Sequence, residues 1–123
     1  MMNKVAVYGS LRKNMGNHGF LVNGELLSVE EVKGFRMYSL GAFPAIVYNG
    51  GQNLVTVEVY EVDDDTFRSL DMLEGYPSLY DRAEVETSQG MVWVYYQHEP
   101  PSTTIVASGD WVEFKGLDFP QYG

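Results

Sequence analysis

Cysteine is absent from the 123 residues of this sequence, and basic residues are scarce. Without cysteine, the chain forms no disulfide, offers no thiolate to a metal and has no cysteine nucleophile. Eight lysines and arginines stand against seventeen aspartates and glutamates, so the formal net charge at pH 7 is −9. Proteins that bind nucleic acids neutralise phosphates with lysine and arginine, and this balance therefore argues against a nucleic-acid partner.

Histidines and long apolar runs are also few. His18 and His98 are too few and too dispersed for a typical zinc site, and neither lies in an H-E-x-x-H motif, so we expect two exposed loop histidines, no metal and no cofactor. No stretch approaches the length of a membrane span, and the apolar run near the N-terminus is too short for a signal peptide. We therefore expect a cytoplasmic protein without a membrane partner.

The residues that are present predict one domain over residues 1–123, rich in β-strands. The hydrophobic fraction of 45% is sufficient for a real core at this length. Asn49-Gly50-Gly51 is a turn signal between two apolar runs, Ala45–Tyr48 and Leu54–Tyr60, and predicts a hairpin. The alternating run Ala83–Thr87 and the run Met91–Tyr96 predict a second hairpin. Residues 114–123 are expected to form a closing tail.

One clear helix is predicted at residues 65–74. Asp63-Asp64-Asp65 supplies candidate N-caps, and Gly75 with Pro77 supplies the stop. At about 100° per residue, Glu74 lies on the same face as Phe67 and Leu70. A carboxylate so close to the core is costly unless it is hydrogen-bonded, paired, or set in a cleft where a raised pKa is useful. The alternative is a glutamate at a frayed helix end whose head bends out to water.

A second feature is the junction between the apolar run Lys4–Tyr8 and Gly9-Ser10. Glycine lets the chain turn without a Cβ, which leaves successive N–H groups able to face a carboxylate or an oxyanion. A turn with no further role is the alternative. Ser10 is not predicted to be a nucleophile, because G-x-S-x-G is absent and no nearby His-Asp pattern offers a base. Arg12, Lys13 and Arg82 are candidate anion ligands, although Arg82 could instead pair with Asp81 or Glu84 on the surface.

These two segments resemble the gamma-glutamylcyclotransferase-like family, which includes the AIG2-like proteins. Tyr8–Arg12 is similar to its Y-G-[ST]-L-R signature, and Leu70–Arg82 is similar to its L-D-x-L-E-G-x-P-x-x-Y-x-R block. Shorter matches occur at Gly34, Met37–Ala45, Val55–Val62 and Gly109–Trp111, so the resemblance covers nearly the whole chain. Val57 departs from the pattern, which usually has glycine there, and could narrow the pocket or shift its substrate preference.

The resemblance implies a small α+β fold, a mostly antiparallel and partly closed β-barrel with one or two short helices. It also implies an enzyme that cleaves a small gamma-glutamyl compound by attack of the substrate's own α-amino group on its γ-carbonyl, which releases 5-oxoproline and an amine or amino acid. Glu74 would be the general acid and base. The substrate-binding residues would be Tyr8, Gly9, Ser10, Leu11, Tyr80 and Arg82.

The Tyr8–Leu11 loop and Glu74 are therefore expected to meet in one cavity. Two other interpretations remain open at this point. The protein could be a non-catalytic small-molecule binding or regulatory module, or an enzyme that acts on a gamma-glutamyl-protected intermediate of a biosynthetic or modification pathway. The sequence leaves the leaving group and the oligomeric state undecided.

Overall fold

The computed structural model of this chain describes residues 2–118. Within this range the chain forms eight strands and two helices, with a short 3-10 turn at His18–Leu21. In chain order these are β1 (Met2–Val7), β2 (Glu25–Lys33), β3 (Phe35–Ser39), β4 (Pro44–Tyr48), β5 (Leu54–Asp63), α1 (Asp64–Glu74), β6 (Asp81–Thr87), β7 (Gly90–Tyr96), β8 (Ile105–Val106) and α2 (Trp111–Asp118). Neither helix is long and apolar enough, over the described residues, to cross a membrane.

The strands form two sheets, one of five strands in the order β2-β5-β1-β7-β6 and one of three in the order β4-β3-β8. All neighbouring strands are antiparallel except β1 and β7. The large sheet curls until its two edges approach, where Glu30 of β2 accepts hydrogen bonds from the amide and the hydroxyl of Ser88 at 2.8 and 2.6 Å. Strands β2 and β6 do not pair. The expected α+β fold with a partly closed, mostly antiparallel barrel is therefore confirmed.

The predicted hairpin between Ala45–Tyr48 and Leu54–Tyr60 is wrong. Strand β4 pairs with β3, and β5 pairs with β2 and β1. Tyr48 lies opposite Phe35, and Leu54 lies opposite Lys33, so β4 and β5 lie one after the other along two consecutive partner strands, β3 and β2. Because β4 and β5 lie end to end, they are not side by side and do not form the hydrogen bonds of a hairpin with each other.

The turn that reverses the chain lies at Leu40–Phe43, where the Leu40 amide donates to the Phe43 carbonyl at 2.9 Å. The Asn-Gly-Gly segment instead forms an irregular loop opposite Gly34, whose carbonyl accepts the amides of Asn49 and Gly50 at 2.8 and 3.1 Å. Gly34 has a φ of 101°, a backbone conformation that favours glycine, and this bend carries the chain from one sheet to the other.

The predictions of helix α1 and of the second hairpin are confirmed. Helix α1 begins one residue earlier than expected, its N-cap Asp63 accepts the Thr66 amide, and Gly75 ends it in the left-handed conformation with a φ of 66°. Strands β6 and β7 form the second hairpin, with Thr87 opposite Gly90. Helix α2 occupies much of the predicted tail, of which residues 119–123 lie outside the described residues.

Apolar side chains are buried on both faces of the large sheet. Val57 and Val59 of β5 pack inside the barrel, whereas Tyr60 and Val62 of the same strand pack on the outer face. Leu70 of α1 joins that outer cluster and has no exposed surface. Helix α1 is thus fixed against the outside of the sheet by burial of its apolar face.

Candidate active site

A cavity of about 600 Å³ lies at the carboxyl end of β1. Its walls come from the loop after β1, the start of β4, the end of α1, the segment after it, and α2. Five sequence-predicted residues near the two motifs meet there with Glu74: Tyr8, Gly9, Ser10, Leu11 and Tyr80. Arg82 is not part of the lining. The volume is in the range of ordinary small-molecule sites.

Glu74 is the last residue of α1 and faces this cavity rather than extending into bulk water. Burial raises the pKa of its carboxyl group from 4.5 to about 7. The physical cause is desolvation, since a partly buried carboxylate loses the water that stabilises its charge. Near neutral pH the group is therefore able both to accept and to release a proton.

Three buried tyrosines surround this end of the cavity, and each hydroxyl donates to a fixed acceptor. Tyr8 donates to the Tyr95 carbonyl at 2.7 Å, and Tyr80 donates to the Pro44 carbonyl at 2.9 Å. Tyr95 donates to Asp71 Oδ1 at 2.7 Å. Burial first, and then nearby charges that include Glu74, raise the pKa of all three hydroxyls. They stay neutral near pH 7 and leave Glu74 to exchange protons.

The loop after β1 presents backbone amides to the same cavity. The N–H groups of Gly9, Ser10 and Leu11 donate no hydrogen bond to any residue between 2 and 118. Gly9 and Leu11 are nevertheless buried. Because buried N–H groups are normally paired, amides in this position are suited to an anionic ligand.

The loop is held in place by a buried ion-pair network that the sequence analysis did not identify. Arg12 donates to Glu58 Oε2 at 2.8 Å and to Asp110 Oδ1 at 2.7 Å, and Glu58 Oε1 also accepts the Lys13 amide at 2.8 Å. Burial alone would raise the pKa of Glu58, but hydrogen bonds from Arg12, the Lys13 amide and Tyr60 hold it below its ordinary range. The one sequence signal for this network was an acidic residue between two core valines, Val57 and Val59.

Arg82 is fixed outside the cavity by helix α1. Its guanidinium donates to Asp71, which also accepts the Tyr95 hydroxyl. The guanidinium carbon lies 4.6, 4.1 and 4.9 Å from the ring centroids of Phe67, Tyr76 and Trp93. Its partner is thus neither of the two carboxylates considered from the sequence. Substrate binding by Arg82 stays a prediction, and this geometry favours a role in positioning the helix that carries Glu74.

Val57 does not line the cavity. Its side chain is fully buried inside the barrel, where it packs with the core. The residue that departs from the family pattern therefore does not narrow the cavity by direct contact.

The arrangement combines a carboxyl group that titrates near pH 7 with backbone donors for an anion. No histidine occurs among the described residues that line the cavity. Ser10 lacks a base there, and its hydroxyl accepts the Asn17 side-chain amide at 2.9 Å. This chemistry suits proton transfer to and from a bound substrate that supplies its own nucleophile.

Known proteins are similar to this chain in sequence and in fold. The family model described as "Gamma-glutamyl cyclotransferase, AIG2-like" matches residues 5–113. A Vibrio cholerae protein named "Putative gamma-glutamylcyclotransferase" is 40% identical over 115 residues, which cover 92% of this chain and 98% of the relative. The Escherichia coli "Gamma-glutamylcyclotransferase family protein YtfP" is 35% identical over 111 residues, with coverage of 89% and 96%.

A solved structure supports the same relationship. The crystal structure of an uncharacterized protein from Pyrococcus horikoshii matches with a TM-score of 0.84 and 30% sequence identity, and covers 94% of this chain and 95% of that one. The family match covers the second half of β1, all of α1, both motifs and the start of α2, and each of these contributes to the cavity. The chain therefore belongs to the gamma-glutamyl cyclotransferase, AIG2-like family.

Proposed function

We propose that this protein is a gamma-glutamylcyclotransferase-type enzyme that releases 5-oxoproline from a gamma-glutamyl compound, with Glu74 as general acid and base. The observation that carries the proposal is the presence of Glu74, with a pKa of about 7, in the same cavity as the amides of the Tyr8–Leu11 loop. Family membership supports this reaction class.

In this mechanism the substrate enters with its α-amino group protonated. Glu74 removes one proton, and the neutral nitrogen attacks the γ-carbonyl carbon, which closes a five-membered ring. The bond from that carbon to the leaving nitrogen then breaks as Glu74 returns the proton to it. A further proton passes from the ring nitrogen through solvent to the amine, so the products are 5-oxoproline and a protonated amine or amino acid.

Positioning supplies most of the rate acceleration in this scheme. A well-oriented intramolecular attack is worth about 7–11 kcal/mol, while a positioned base adds roughly 10²- to 10⁴-fold. The Tyr8–Leu11 loop would hold the glutamyl end of the substrate through its free amides. Tyr80 would form another wall of the substrate site, since it lines the cavity and its hydroxyl is bound to the Pro44 carbonyl. Arg82 would act through Asp71 and helix α1.

The test is an assay for 5-oxoproline with gamma-glutamyl amino acids, gamma-glutamyl amines, glutathione and gamma-glutamyl-protected biosynthetic intermediates as substrates. We expect release from at least one class. The value of kcat/KM should rise with pH through about 7, because Glu74 is the base only when deprotonated and its pKa lies there. The release of 5-oxoproline should therefore be lost as the pH falls below this pKa.

Two results would contradict the proposal. Release of 5-oxoproline with no pH dependence between 6 and 8 would argue against Glu74 as the base. A protein that binds an unreactive gamma-glutamyl analogue, yet releases 5-oxoproline from no member of the panel, would support the non-catalytic binding module instead.

The loop's role predicts a specific effect of Gly9→Ala. A Cβ on Gly9 would lie 2.7 Å from both Cγ and Cδ of Pro44, closer than side chains approach. The Pro44 ring has little freedom to move, because the residue is buried at the start of β4 and its carbonyl holds Tyr80. We expect the loop to shift and the affinity for an unreactive gamma-glutamyl analogue to fall by roughly 5- to 150-fold, as a cost of about 1–3 kcal/mol for overpacking implies.

Gly16→Ala is the matched control, since Gly16 lines the same cavity and a Cβ there would meet nothing within 4 Å. Analogue binding, measured by calorimetry, should be nearly unchanged in this variant. Equal affinities for the two variants would show that the close approach of Gly9 to Pro44 does not shape the binding loop.

A further inference from the structure

We propose that a second cavity, between the open edges of the barrel, binds a small alkylated ammonium ion as a free ligand. The volume of this cavity is about 670 Å³, which is in the range of small-molecule sites. It shares no described lining residue with the cavity that contains Glu74. The inference therefore does not depend on the proposed reaction, and the mechanism above uses none of the residues in this second wall.

The second cavity lies between the two edges of the large sheet that do not pair. Strand β2 contributes its last two residues, and β6 contributes Ala83–Glu86. The side chain of Glu30 bridges the edges at Ser88, but β2 and β6 form no ladder. Val32 and Val85 in the lining pack with the core inside the barrel. The space between the strands therefore reaches an apolar interior.

Three aromatic side chains, Phe35, Tyr48 and Tyr96, contribute to the wall of this cavity. The centroid of the Phe35 ring lies 5.5 Å from that of Tyr48, at 72°, and 6.4 Å from that of Tyr96, at 68°. Phe35 is buried, whereas Tyr48 is 65% exposed and Tyr96 is partly exposed. Each tyrosine ring therefore stands nearly perpendicular to a buried ring and keeps surface available to a ligand. The faces of aromatic rings attract cations that lie within about 6 Å of the centroid.

The position of Tyr48 is restricted although its side chain is exposed. A Cβ on Gly34 would lie 3.3 Å from Cε1 of the ring, and a Cβ on Gly50 would lie 3.5 Å from the hydroxyl oxygen. The ring thus lies against the backbone at two points, where the absence of a side chain leaves room for it. A wall that is already ordered loses less conformational entropy when a ligand binds.

The charges around the cavity favour a cation over an anion. Glu84 and Glu86 line it and are exposed, and their carboxylates have no hydrogen-bond or ion-pair partner among residues 2–118. Lys33 is the one lysine or arginine in the described lining. His98, also in the lining, is bound to Asp81 at 3.0 Å. Two free carboxylates therefore oppose one ammonium, and the negative potential that results attracts a positive ligand.

The experiment compares choline with its neutral carbon isostere, 3,3-dimethylbutan-1-ol, by NMR titration of the backbone amides. The two probes have the same shape and the same hydroxyl group, and they differ in charge. We expect choline to shift the amides around Phe35, Tyr48 and Tyr96, and to bind about 5-fold or more tightly than the isostere. Glu74 is a second carboxylate that a cation can approach. Shifts confined to the Tyr8–Leu11 loop and Glu74 would therefore overturn the inference.

Single substitutions test the ring and the charges separately. Tyr48→Leu should weaken choline binding by about 5-fold or more, with less than about a twofold change for the isostere. Glu86→Gln should weaken choline binding and Lys33→Gln should strengthen it, each by roughly twofold to fivefold, as expected for exposed charges. Glu25→Gln is the matched charge control, because Glu25 is exposed at the other end of β2 and outside the lining. It should leave choline affinity unchanged.

The results that would overturn this inference are distinct from those that bear on the proposed function. Equal affinities for choline and the isostere would show an apolar pocket without preference for charge. Weaker choline binding in Lys33→Gln together with tighter binding in Glu86→Gln would show an anion site. Both charge changes are on exposed side chains, so they test the site even if Tyr48→Leu does not fold. None of these outcomes alters the expected release of 5-oxoproline at the other cavity.

Discussion

Glu74→Gln should reduce the turnover of gamma-glutamyl substrates by roughly 10²- to 10⁴-fold, the contribution of a positioned general base. The substitution is nearly isosteric and keeps hydrogen-bonding capacity, but an amide does not accept the ammonium proton. Binding of an unreactive gamma-glutamyl analogue should change far less than turnover. Single-turnover release of 5-oxoproline, measured beside analogue affinity, separates the two effects.

The stability of this variant provides an independent check. Burial raises the pKa of Glu74 from 4.5 to about 7, so the folded state binds its proton more tightly than the unfolded state does. The stability that this group contributes is complete below pH 4.5 and is lost as the pH rises through 7. At pH 8 the Glu74→Gln variant should therefore be at least as stable as the wild type.

Glu31→Gln is a suitable control, because Glu31 is exposed on β2 and lies outside the cavity lining. Its turnover should match that of the wild type. If Glu74→Gln instead lowers the melting temperature and leaves turnover per folded molecule intact, Glu74 is a structural residue and the proposed mechanism is wrong.

Gly109→Ala should be among the most destabilising single substitutions in this chain. Gly109 has a φ of 68°, and a Cβ there would lie 1.9 Å from the Leu54 carbonyl oxygen. The neighbouring atoms belong to the backbone of β5, which also donates the Thr56 amide to the Gly109 carbonyl at 2.8 Å. Relief of the clash requires movement of a central strand. We expect a loss of about 4 kcal/mol or more in the free energy of unfolding, measured by urea denaturation.

Gly41→Ala separates this clash from backbone strain. Gly41 also has a positive φ, of 94°, but a Cβ there would meet nothing within 4 Å. This control should cost only the strain of a left-handed conformation, about 1–2 kcal/mol. Similar losses for the two variants would mean that β5 yields readily and that the contact with Gly109 is unimportant.

Gly109 also bears on function, since it precedes two residues that organise the cavity. Asp110 accepts hydrogen bonds from the Arg12 guanidinium at 2.7 Å and from the Glu113 amide at 3.2 Å. It therefore connects the loop after β1 to the start of α2. Trp111 follows and contributes to the cavity wall. The short Gly109–Trp111 match thus has a physical basis in the contact between α2 and the barrel.

Local signals in the sequence predicted local structure well. The ends of α1 depend on Asp63 and Gly75, which act on residues within the adjacent turn. The β6–β7 hairpin depends on one alternating run, one apolar run and the short turn between them. The turn signal at Asn49–Gly51 did not predict the strand pairing correctly. Such a signal indicates where the chain bends, but it does not indicate which strand each flanking segment pairs with. The consecutive strands β2 and β3 already pair with the two segments that flank this turn, β5 with β2 and β4 with β3.

By itself, the sequence determined which chemistry is available: a glutamate on the apolar face of a short helix, a glycine-containing loop after a strand, and no cysteine nucleophile. Only the tertiary structure decided which cations face the cavity. Arg12 reaches Glu58, which is 46 residues away, and Arg82 reaches Asp71, so both guanidinium charges are neutralised within the fold. Lys115 of α2 lines the cavity. Charge pairing depends on which carboxylates the packed strands bring within a few ångströms, and the order of residues along the chain does not specify that distance.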